Sequence, residues 1–500
     1  MEMAAQGTLA LGIIFGWIAL STVVAIMAGI LKKFSLEEWF VASRGLSFIV
    51  IYFALAAEIY SGFTFLGLAG WAYKFGAPIL YALAYFVTAY STGFMLTPYY
   101  NRIARKLKLV TQPDFFVARY ESRWLGVLVA VIGVAFFIPY IQLQIGATGI
   151  IINLASYGAI DSTTAMIIAF VLVAIFIFIG GFRGIAWTNV LQGILMWGIA
   201  IALLSVPFVK FGGLEQMFKQ LEAVSPQHLT LPGAAGVHGI PWYMSTLLLC
   251  TLGFWMFPHL VMRAYAAKDE KAIMRSCAWM SWYSILAFPI VIVGLCAVLM
   301  YPELVNPDWA VMWTVRDMFP AWAVGLVGAG GAAAAISTGA GLIQASAGII
   351  ARNIIQKGIW PKASDIQTAW IARFLVLIVT VIALVLQLVA PELLVTLLLM
   401  SYSGMVQFFP GVVLGLRWRK VTKVGVTAGL IAGVITVILT TYVWKNPLQI
   451  HSGICNNTCK PGNKASIRED NKGFLGRSCY KTLKFKQLFS NIILNFHRTI

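Results

Sequence analysis

The sequence has very little charge for its length. Of its 500 residues, 11% are Asp, Glu, Lys or Arg and 60% are hydrophobic, and the mean hydropathy is +0.85. Soluble globular domains carry roughly 25% charged residues. This shortage of charge excludes a water-soluble fold and predicts an all-α integral membrane protein, with room for about a dozen spans of ~20 apolar residues.

The sequence also lacks the short motifs that carry common enzyme chemistry. It has no HExxH metal motif, no GxSxG nucleophile motif with partner residues and no phosphate-binding GxxxxGK[ST] motif. Its six cysteines show no spacing typical of a zinc or redox site. A membrane enzyme is therefore disfavoured, and no catalytic residue is predicted.

The basic residues, which give a formal net charge of +18, lie between the apolar runs. Membrane topology explains them there, so nucleic acid is not a predicted partner. No basic segment precedes the first apolar run, which is predicted to be a retained span and not a signal peptide. Twelve runs have spanning length, and they lie near 9–31, 46–73, 78–100, 124–153, 162–181, 186–209, 241–263, 272–301, 321–351, 367–389, 392–416 and 424–444.

Lys and Arg are distributed unequally between the two sides of this array. If the N-terminus is outside, the six cytoplasmic loops contain 21 basic residues, whereas the external loops as far as the twelfth span contain four. Basic residues that flank a span resist translocation. The sequence therefore predicts a multi-pass protein of the cell membrane with an external N-terminus.

The second predicted span contains the clearest sign of a functional site. Glu58 is the only acidic residue deep within a predicted span, and Ser61 and Gly62 follow it closely. A membrane-embedded carboxylate is costly, and irregular backbone is tolerated there only where protein or a water-filled cavity satisfies it. We predict a broken helix with Glu58 in a coupling role; a packed or protonated structural glutamate is the alternative.

Two further spans carry candidate residues. In the ninth, Ser337 and Thr338 place two hydroxyl oxygens side by side among glycines and alanines, which suits a hard cation that prefers oxygen ligands. In the seventh, Pro258 removes a helical hydrogen bond, and Phe254 and its neighbours could wall a small-solute pocket. A proline kink without ligand binding is the alternative there, and His259 is interpreted as structural.

Five motifs, in order along residues 10–445, carry a family resemblance. They are TQPDFFVARY at 111–120, GGFRGIAWTNVLQG at 180–193, FPHLVMRAYAAK at 257–268, AAAISTGAGLIQASAGIIARNI at 333–354 and SYSGMVQFFPGVVLGLRW at 401–418. Together they resemble the sodium:solute symporter family, which includes proline, pantothenate, sugar and monocarboxylate symporters. The resemblance implies a LeuT-like core of five plus five inverted-repeat helices, within 46–416, whose first helix in each repeat is broken.

The resemblance also implies the site residues. Sodium, the co-transported ion, would be held by carbonyls and hydroxyls of the first and eighth core helices, here Ala57, Tyr60, Ala334, Ser337 and Thr338. The substrate would lie beside it, near Ser61, Gly62, Phe254 and Pro258, with Gln144 and Gln407 as further polar contacts. The amide end of a half-helix favours negative charge, so an anionic or zwitterionic solute is expected.

The chain departs from the proline carriers at two positions. Ile59 stands where they have an aspartate, and Cys250 stands where they have a tryptophan, which argues against proline. The string YSGFTFLG at 60–67 looks most like branches that carry short monocarboxylates, so sodium-coupled import of a monocarboxylate by alternating access is expected. Sodium- or proton-coupled transport of an amino acid, pantothenate or another solute stays open, as does a sensor or channel on the same fold.

The last fifty residues differ from the rest. Residues 1–449 read as one polytopic transporter domain, whereas 450–500 are polar, with nine basic residues against two acids. Twelve spans from an external start would leave this basic tail outside, against the charge rule. Because similar proteins continue with a thirteenth span, we interpret 450–500 as a non-native or frameshifted tail.

Overall fold

The computed structural model describes residues 2–30, 35–443 and 450–454, without the side chains of residues 2–4, 58, 176 and 442. These described residues form α-helices joined by short 3₁₀ and π segments, with no β-strand among them. The α-helices are α1 Glu2–Ile30, α2 Leu36–Val41, α3 Phe48–Ile59, α4 Leu68–Phe75, α5 Tyr81–Leu107, α6 Gln112–Tyr120, α7 Arg123–Ala155, α8 Ser162–Leu203, α9 Ser205–Phe211, α10 Leu214–Val224, α11 Ile240–Gly253, α12 Pro258–Ala266, α13 Glu270–Ser284, α14 Ala287–Met300, α15 Ala310–Met318, α16 Ala321–Ile349, α17 Asp365–Val389, α18 Leu394–Met405, α19 Phe408–Arg417 and α20 Lys423–Ile438.

Within the described part of the chain, eight helices are long and apolar enough to cross a membrane, and ten if each bent pair counts as one span. One bent pair joins α11 to α12 at 47°, and the other joins α18 to α19 at 40°. The predicted span 46–73 is not one helix, because α3 ends at Ile59 and a π segment, Phe63–Gly67, precedes α4. The predicted spans 162–181 and 186–209 meet within α8 at a kink at Gly181, whose φ of 54° is not helical.

Helices of the first half of the core pack against helices of the second half. The second helix of the first half, α5, packs on its counterpart α13, and the third, α7, packs on α16. Almost all of α16 is buried, because its glycines and alanines let other helices approach closely. A Cβ atom at Gly331 would lie 2.3 Å from the ring of Phe65, so this glycine brings α16 against the break between α3 and α4.

Candidate ion and substrate site

The break between α3 and α4 lies at Tyr60, Ser61 and Gly62. Tyr60 has φ −80° and ψ 77°, which is not helical, and the N–H of Ser61 donates to the carbonyl of Ile59 at 2.9 Å. Gly62 then meets α7 so closely that a Cβ atom would lie 2.5 Å from the Cβ of Ala147. The predicted interruption of this span is therefore present, and the second half-helix begins against α7.

Four of the five predicted sodium ligands meet at this break. The Ser337 hydroxyl donates to the carbonyl oxygens of Ala57 at 3.2 Å and Ala334 at 2.9 Å. The Thr338 hydroxyl donates to the same two oxygens, at 3.0 and 3.2 Å. All four residues are buried. Two carbonyls and two hydroxyls from separate helices thus surround one small volume between α3 and α16.

This cluster has the chemistry of a site for a hard monovalent cation. Ligand oxygens at roughly 2.3–2.6 Å from such an ion, at right angles to each other, lie roughly 3.3–3.7 Å apart. The oxygens here would need to separate by only a few tenths of an ångström, while the two hydroxyl protons rotate away from the carbonyls. Sodium would then enter as a transported substrate, with all its ligands uncharged.

Tyr60 and Glu58, the other residues predicted for ion binding and coupling, lie on the same segment. The N–H of Tyr60 donates to Ala56 at 3.0 Å, and its phenol donates to the carbonyl of Leu286 at 3.4 Å. The ψ of 77° turns its own carbonyl out of the helical pattern, as a ligand carbonyl requires. The Glu58 side chain lies outside the described residues, so its coupling role stays a prediction.

Gln144 on α7 reaches the start of the second half-helix. Its Oε1 accepts a hydrogen bond of 2.9 Å from the N–H of Gly62, and the residue is fully buried. Its Nε2 has no hydrogen-bond partner among the described residues. The phenol of Tyr140, one turn earlier, interacts with the Ser61 side chain. Donors from α7 and from the break therefore face the same buried region.

Gly62→Ala is expected to reduce solute uptake at least tenfold while the protein still folds. The added Cβ would force α7 and the break apart, and overpacking of this kind costs about 1–3 kcal/mol. The measurement is initial uptake rate in proteoliposomes, with Gly12→Ala as the control because a Cβ there meets nothing within 4 Å. Uptake by Gly62→Ala at the wild-type rate would contradict the close contact.

The second predicted break lies between α11 and α12. Phe257 is extended, with ψ 123°, and Pro258 begins α12 at a position that needs no N–H donor. The carbonyl of Met256, left open by the break, accepts from Gln112 Nε2 at 2.8 Å. Phe254 is buried and packs edge-on against Tyr90 at 5.5 Å. Pro258 and Phe254 thus lie at the break, as predicted.

Gln407 lies at the bend between α18 and α19. Its Nε2 donates to the carbonyls of Ser403 at 2.9 Å and Gly453 at 3.0 Å. The N–H of His451 donates to Ser245 on α11 at 2.9 Å, so residues 450–454 pack between α11 and α18. The beginning of the predicted tail is therefore buried against the helices; the interpretation of 455–500 falls outside the described residues.

A buried polar cluster at the predicted cytoplasmic side was missed by the sequence reasoning. Asp114 on α6 pairs with Lys357 at 2.5 Å and accepts from Asn353 at 2.9 Å, and the Thr111 hydroxyl donates to Asn353 Oδ1 at 2.7 Å. Burial by itself would raise the pKa of Asp114, but Lys357 and Arg352 hold it below its usual value. The signal was present in the TQPDFF and ARNI motifs, which were used only for the family resemblance.

A second buried carboxyl lies at the opposite end of the bundle. Asp308, in the connection between α14 and α15, accepts from the N–H of Leu394 at 3.2 Å and abuts Gly70 on α4. Burial raises its pKa to about 7, partly offset by the Leu394 N–H and by Lys74. Asp308 thus connects three elements: the α14–α15 connection, α4 and the start of α18.

Comparison with known proteins agrees with this architecture. The sequence profile of the sodium:solute symporter family matches residues 39–433. An uncharacterized symporter of Bacillus subtilis, YhjB, is 36% identical over 436 residues, which cover 86% of this chain and 88% of that protein. The sodium/pantothenate symporter of Escherichia coli is 29% identical over 81% of this chain and 85% of that protein.

Among solved structures, the substrate-bound outward-open state of a Na⁺-coupled sialic acid symporter is similar to this chain, with a TM-score of 0.74. The match covers 89% of this chain and 95% of that one, at 18% identity. This likeness shows the fold. The described helices therefore form the LeuT-like core of five plus five helices that the sequence motifs implied, with the two broken helices at α3–α4 and α11–α12.

Proposed function

This chain belongs to the sodium:solute symporter family, and on that premise we propose that it imports a short-chain monocarboxylate together with sodium. It is a sodium-coupled transport protein of the membrane and not an enzyme. The proposal concerns the residues that hold the ion and the chemical class of the solute.

The sodium ion is assigned to the oxygens of Ala57, Ala334, Ser337 and Thr338, with the Tyr60 carbonyl as the fifth ligand. The support is that each of the two hydroxyls on α16 lies within 3.2 Å of both carbonyl oxygens, one on α16 and one on α3. An ion here links the broken helix to α16, so it stabilises one arrangement of the core and raises the affinity of the adjacent solute site. Linkage requires the solute to raise sodium affinity by the same factor.

The single observation that supports a carboxylate substrate is the buried amide of Gln144. Its Nε2 donor is fully enclosed and has no partner among the described residues, and a buried donor without an acceptor costs about 1–3 kcal/mol. A carboxylate at the break could accept from Nε2 and from the Ser61 hydroxyl, beside the N-terminus of the second half-helix. Phe254 and Pro258 supply apolar walls for a short carbon chain.

Amino acids and pantothenate are the alternative solutes. Each carries a carboxylate that the same donors could bind, but an amino acid adds an ammonium group that needs an acceptor. Glu58, whose side chain is outside the described residues, is the candidate acceptor from the sequence. Curated relatives of this chain include transporters for proline, monocarboxylates and pantothenate.

Sodium-dependent accumulation of lactate, pyruvate or acetate is expected in proteoliposomes, tested beside proline, alanine and pantothenate with and without a sodium gradient. Gln144→Leu is expected to raise the KM for the transported acid about tenfold, because it removes the donor and leaves the Gly62 N–H without its acceptor. Sodium binding measured without solute should change little, because Gln144 is not among the assigned ion ligands.

Gln142→Leu is the matched control, since Gln142 lies on the same helix but donates to the carbonyl of Ala390 on the side of α17. Accumulation of amino acids or pantothenate alone would contradict the substrate class. A KM unchanged in Gln144→Leu would contradict the role of the amide. Neither result would affect the sodium assignment, which is tested separately.

The orientation of the chain is part of the same proposal. We place the N-terminus outside, because the loops that then become cytoplasmic hold 21 basic residues against four in the external ones. The breaks at α3–α4 and α11–α12 then lie between the Asp308 connection on the outside and the Asp114 cluster on the inside. We also propose that residues 1–449 form the transporter domain.

A further inference from the structure

A cavity that the transport site does not use opens between α1, α8 and α17. Its volume is about 300 Å³, within the range of small-molecule sites. It is lined by Gly29, Ile30, Glu38, Trp39, Phe178, Ile179, Gly180 and Arg373. Gly29 and Gly180 bring α1 and α8 into backbone contact, since a Cβ at Gly29 would lie 2.5 Å from the Cα of Gly180. The cavity forms beside this crossing, next to the bend of α8.

The cavity contains a cation held on aromatic faces. The Arg373 guanidinium lies 4.7 Å from the ring centroid of Trp370 and 5.6 Å from that of Phe178. Glu38, another lining residue, forms an ion pair with Arg183 and accepts from the Ser43 hydroxyl at 2.6 Å. Arg373 is the basic residue of this lining, and Glu38 is the acidic one.

The helices around the cavity present apolar side chains outward. Met27 and Ile30 on α1 and Phe374 on α17 are each more than half exposed, on helices that span the membrane. Arg373 lies roughly 12 Å along α17 from Asp365, at 1.5 Å per residue, near the end assigned to the cytoplasm. The Arg373 charge and this apolar surface are therefore arranged as at a membrane interface.

We propose that this cavity binds the phosphate of an anionic phospholipid headgroup from the cytoplasmic leaflet, on Arg373, with the acyl chains along the exposed faces of α1 and α17. Basic cavities between membrane helices on the cytoplasmic side suit such headgroups, and a planar guanidinium can donate two hydrogen bonds to one phosphate. Trp370 lies beside this cation, and Trp side chains are enriched at the membrane interface. A lipid here would brace α17 against the bend of α8.

The test titrates phosphatidylglycerol, phosphatidylcholine or inorganic phosphate into delipidated full-length protein in neutral detergent, and follows the midpoint of thermal unfolding. Phosphatidylglycerol is expected to raise the midpoint far more than the other two. Arg373→Gln should weaken the apparent affinity for phosphatidylglycerol about tenfold or more. Arg275→Gln, an exposed arginine on α13, should behave as wild type.

An unchanged phosphatidylglycerol response in Arg373→Gln would overturn the proposal, and an equal response to inorganic phosphate would overturn the lipid assignment. If Arg373→Gln does not fold, the same titration of Arg373→Lys tests the proposal. The lysine keeps the charge but loses the two-pronged donor, so the affinity should fall several-fold and the response should stay selective for phosphatidylglycerol. A wild-type affinity in Arg373→Lys would then overturn the proposal.

Discussion

Replacing Ser337 and Thr338 together with alanine is expected to raise the sodium concentration for half-maximal uptake at least tenfold. Both hydroxyls lie within 3.2 Å of the two carbonyl oxygens that complete the cluster, and the double variant leaves only carbonyls to replace the ion's water. A tenfold loss corresponds to about 1.4 kcal/mol. Each single alanine variant should show a smaller increase than the pair.

The same experiment can be done without knowing the solute. Sodium that binds only the folded protein raises its midpoint of thermal unfolding, so the double variant should need about ten times more sodium for the same increase. Ser346→Ala is the matched control, because Ser346 is buried on α16 outside the oxygen cluster. Ser337→Thr and Thr338→Ser, which keep both hydroxyls, should retain most of the response. An unchanged sodium dependence in the double variant would refute the ion assignment.

Asp114→Asn is expected to destabilise the protein by about 2–4 kcal/mol and to reduce uptake about tenfold. The change leaves Lys357 without its carboxylate, and breaking a buried pair costs about 3–5 kcal/mol when the remaining charge cannot reach water. Lys357 is partly exposed, with 28% of its side-chain surface accessible, so the lower range applies. The cluster joins α6 to the π segment Ile350–Ile359, which follows α16, so its loss should also weaken closure on that side.

The pH dependence distinguishes this ion pair from a packing effect. The folded-state pKa of Asp114 is depressed, so its contribution to stability is fully present above the unfolded pKa and is lost as pH falls through the folded value. The stability difference between wild type and Asp114→Asn should therefore be constant from about pH 5 to 8 and shrink in stronger acid. Asp365→Asn is the control, because Asp365 also pairs with Arg352 but is exposed; its effect should be within about 0.5 kcal/mol. A difference that does not shrink in acid would identify packing as the cause.

Much of the proposed ion site could be located in the sequence because its signals are local. Ser337 and Thr338 are adjacent in the sequence, and the interruption at Ser61 and Gly62 is visible as small and polar residues within an apolar run. The bend before Pro258 follows from the missing N–H of proline. The family resemblance supplied the carbonyl partners, and the structure brings Ala57 and Ala334 to the two hydroxyls as that resemblance implied.

The parts that were missed depend on residues far apart in the chain. Gln112 completes the break before Pro258 from 144 residues away, and Asp114 meets Lys357 across 243 residues. Side-chain hydrogen bonds at such separations leave no period in the sequence. Hydropathy by itself indicates only one span over 46–73, and the break within that span was predicted from its glutamate, serine and glycine.

By itself, the sequence determined that this protein crosses the membrane many times and where its helices are interrupted, because burial in lipid and the chemistry of glycine and proline act residue by residue. The tertiary structure alone decided which groups meet. Gly62 faces Gln144 because α7 packs on the broken helix, and Arg373 lines a cavity because α1 and α8 cross at paired glycines. These contacts arise from the packing of whole helices against one another, which no local property of the chain specifies.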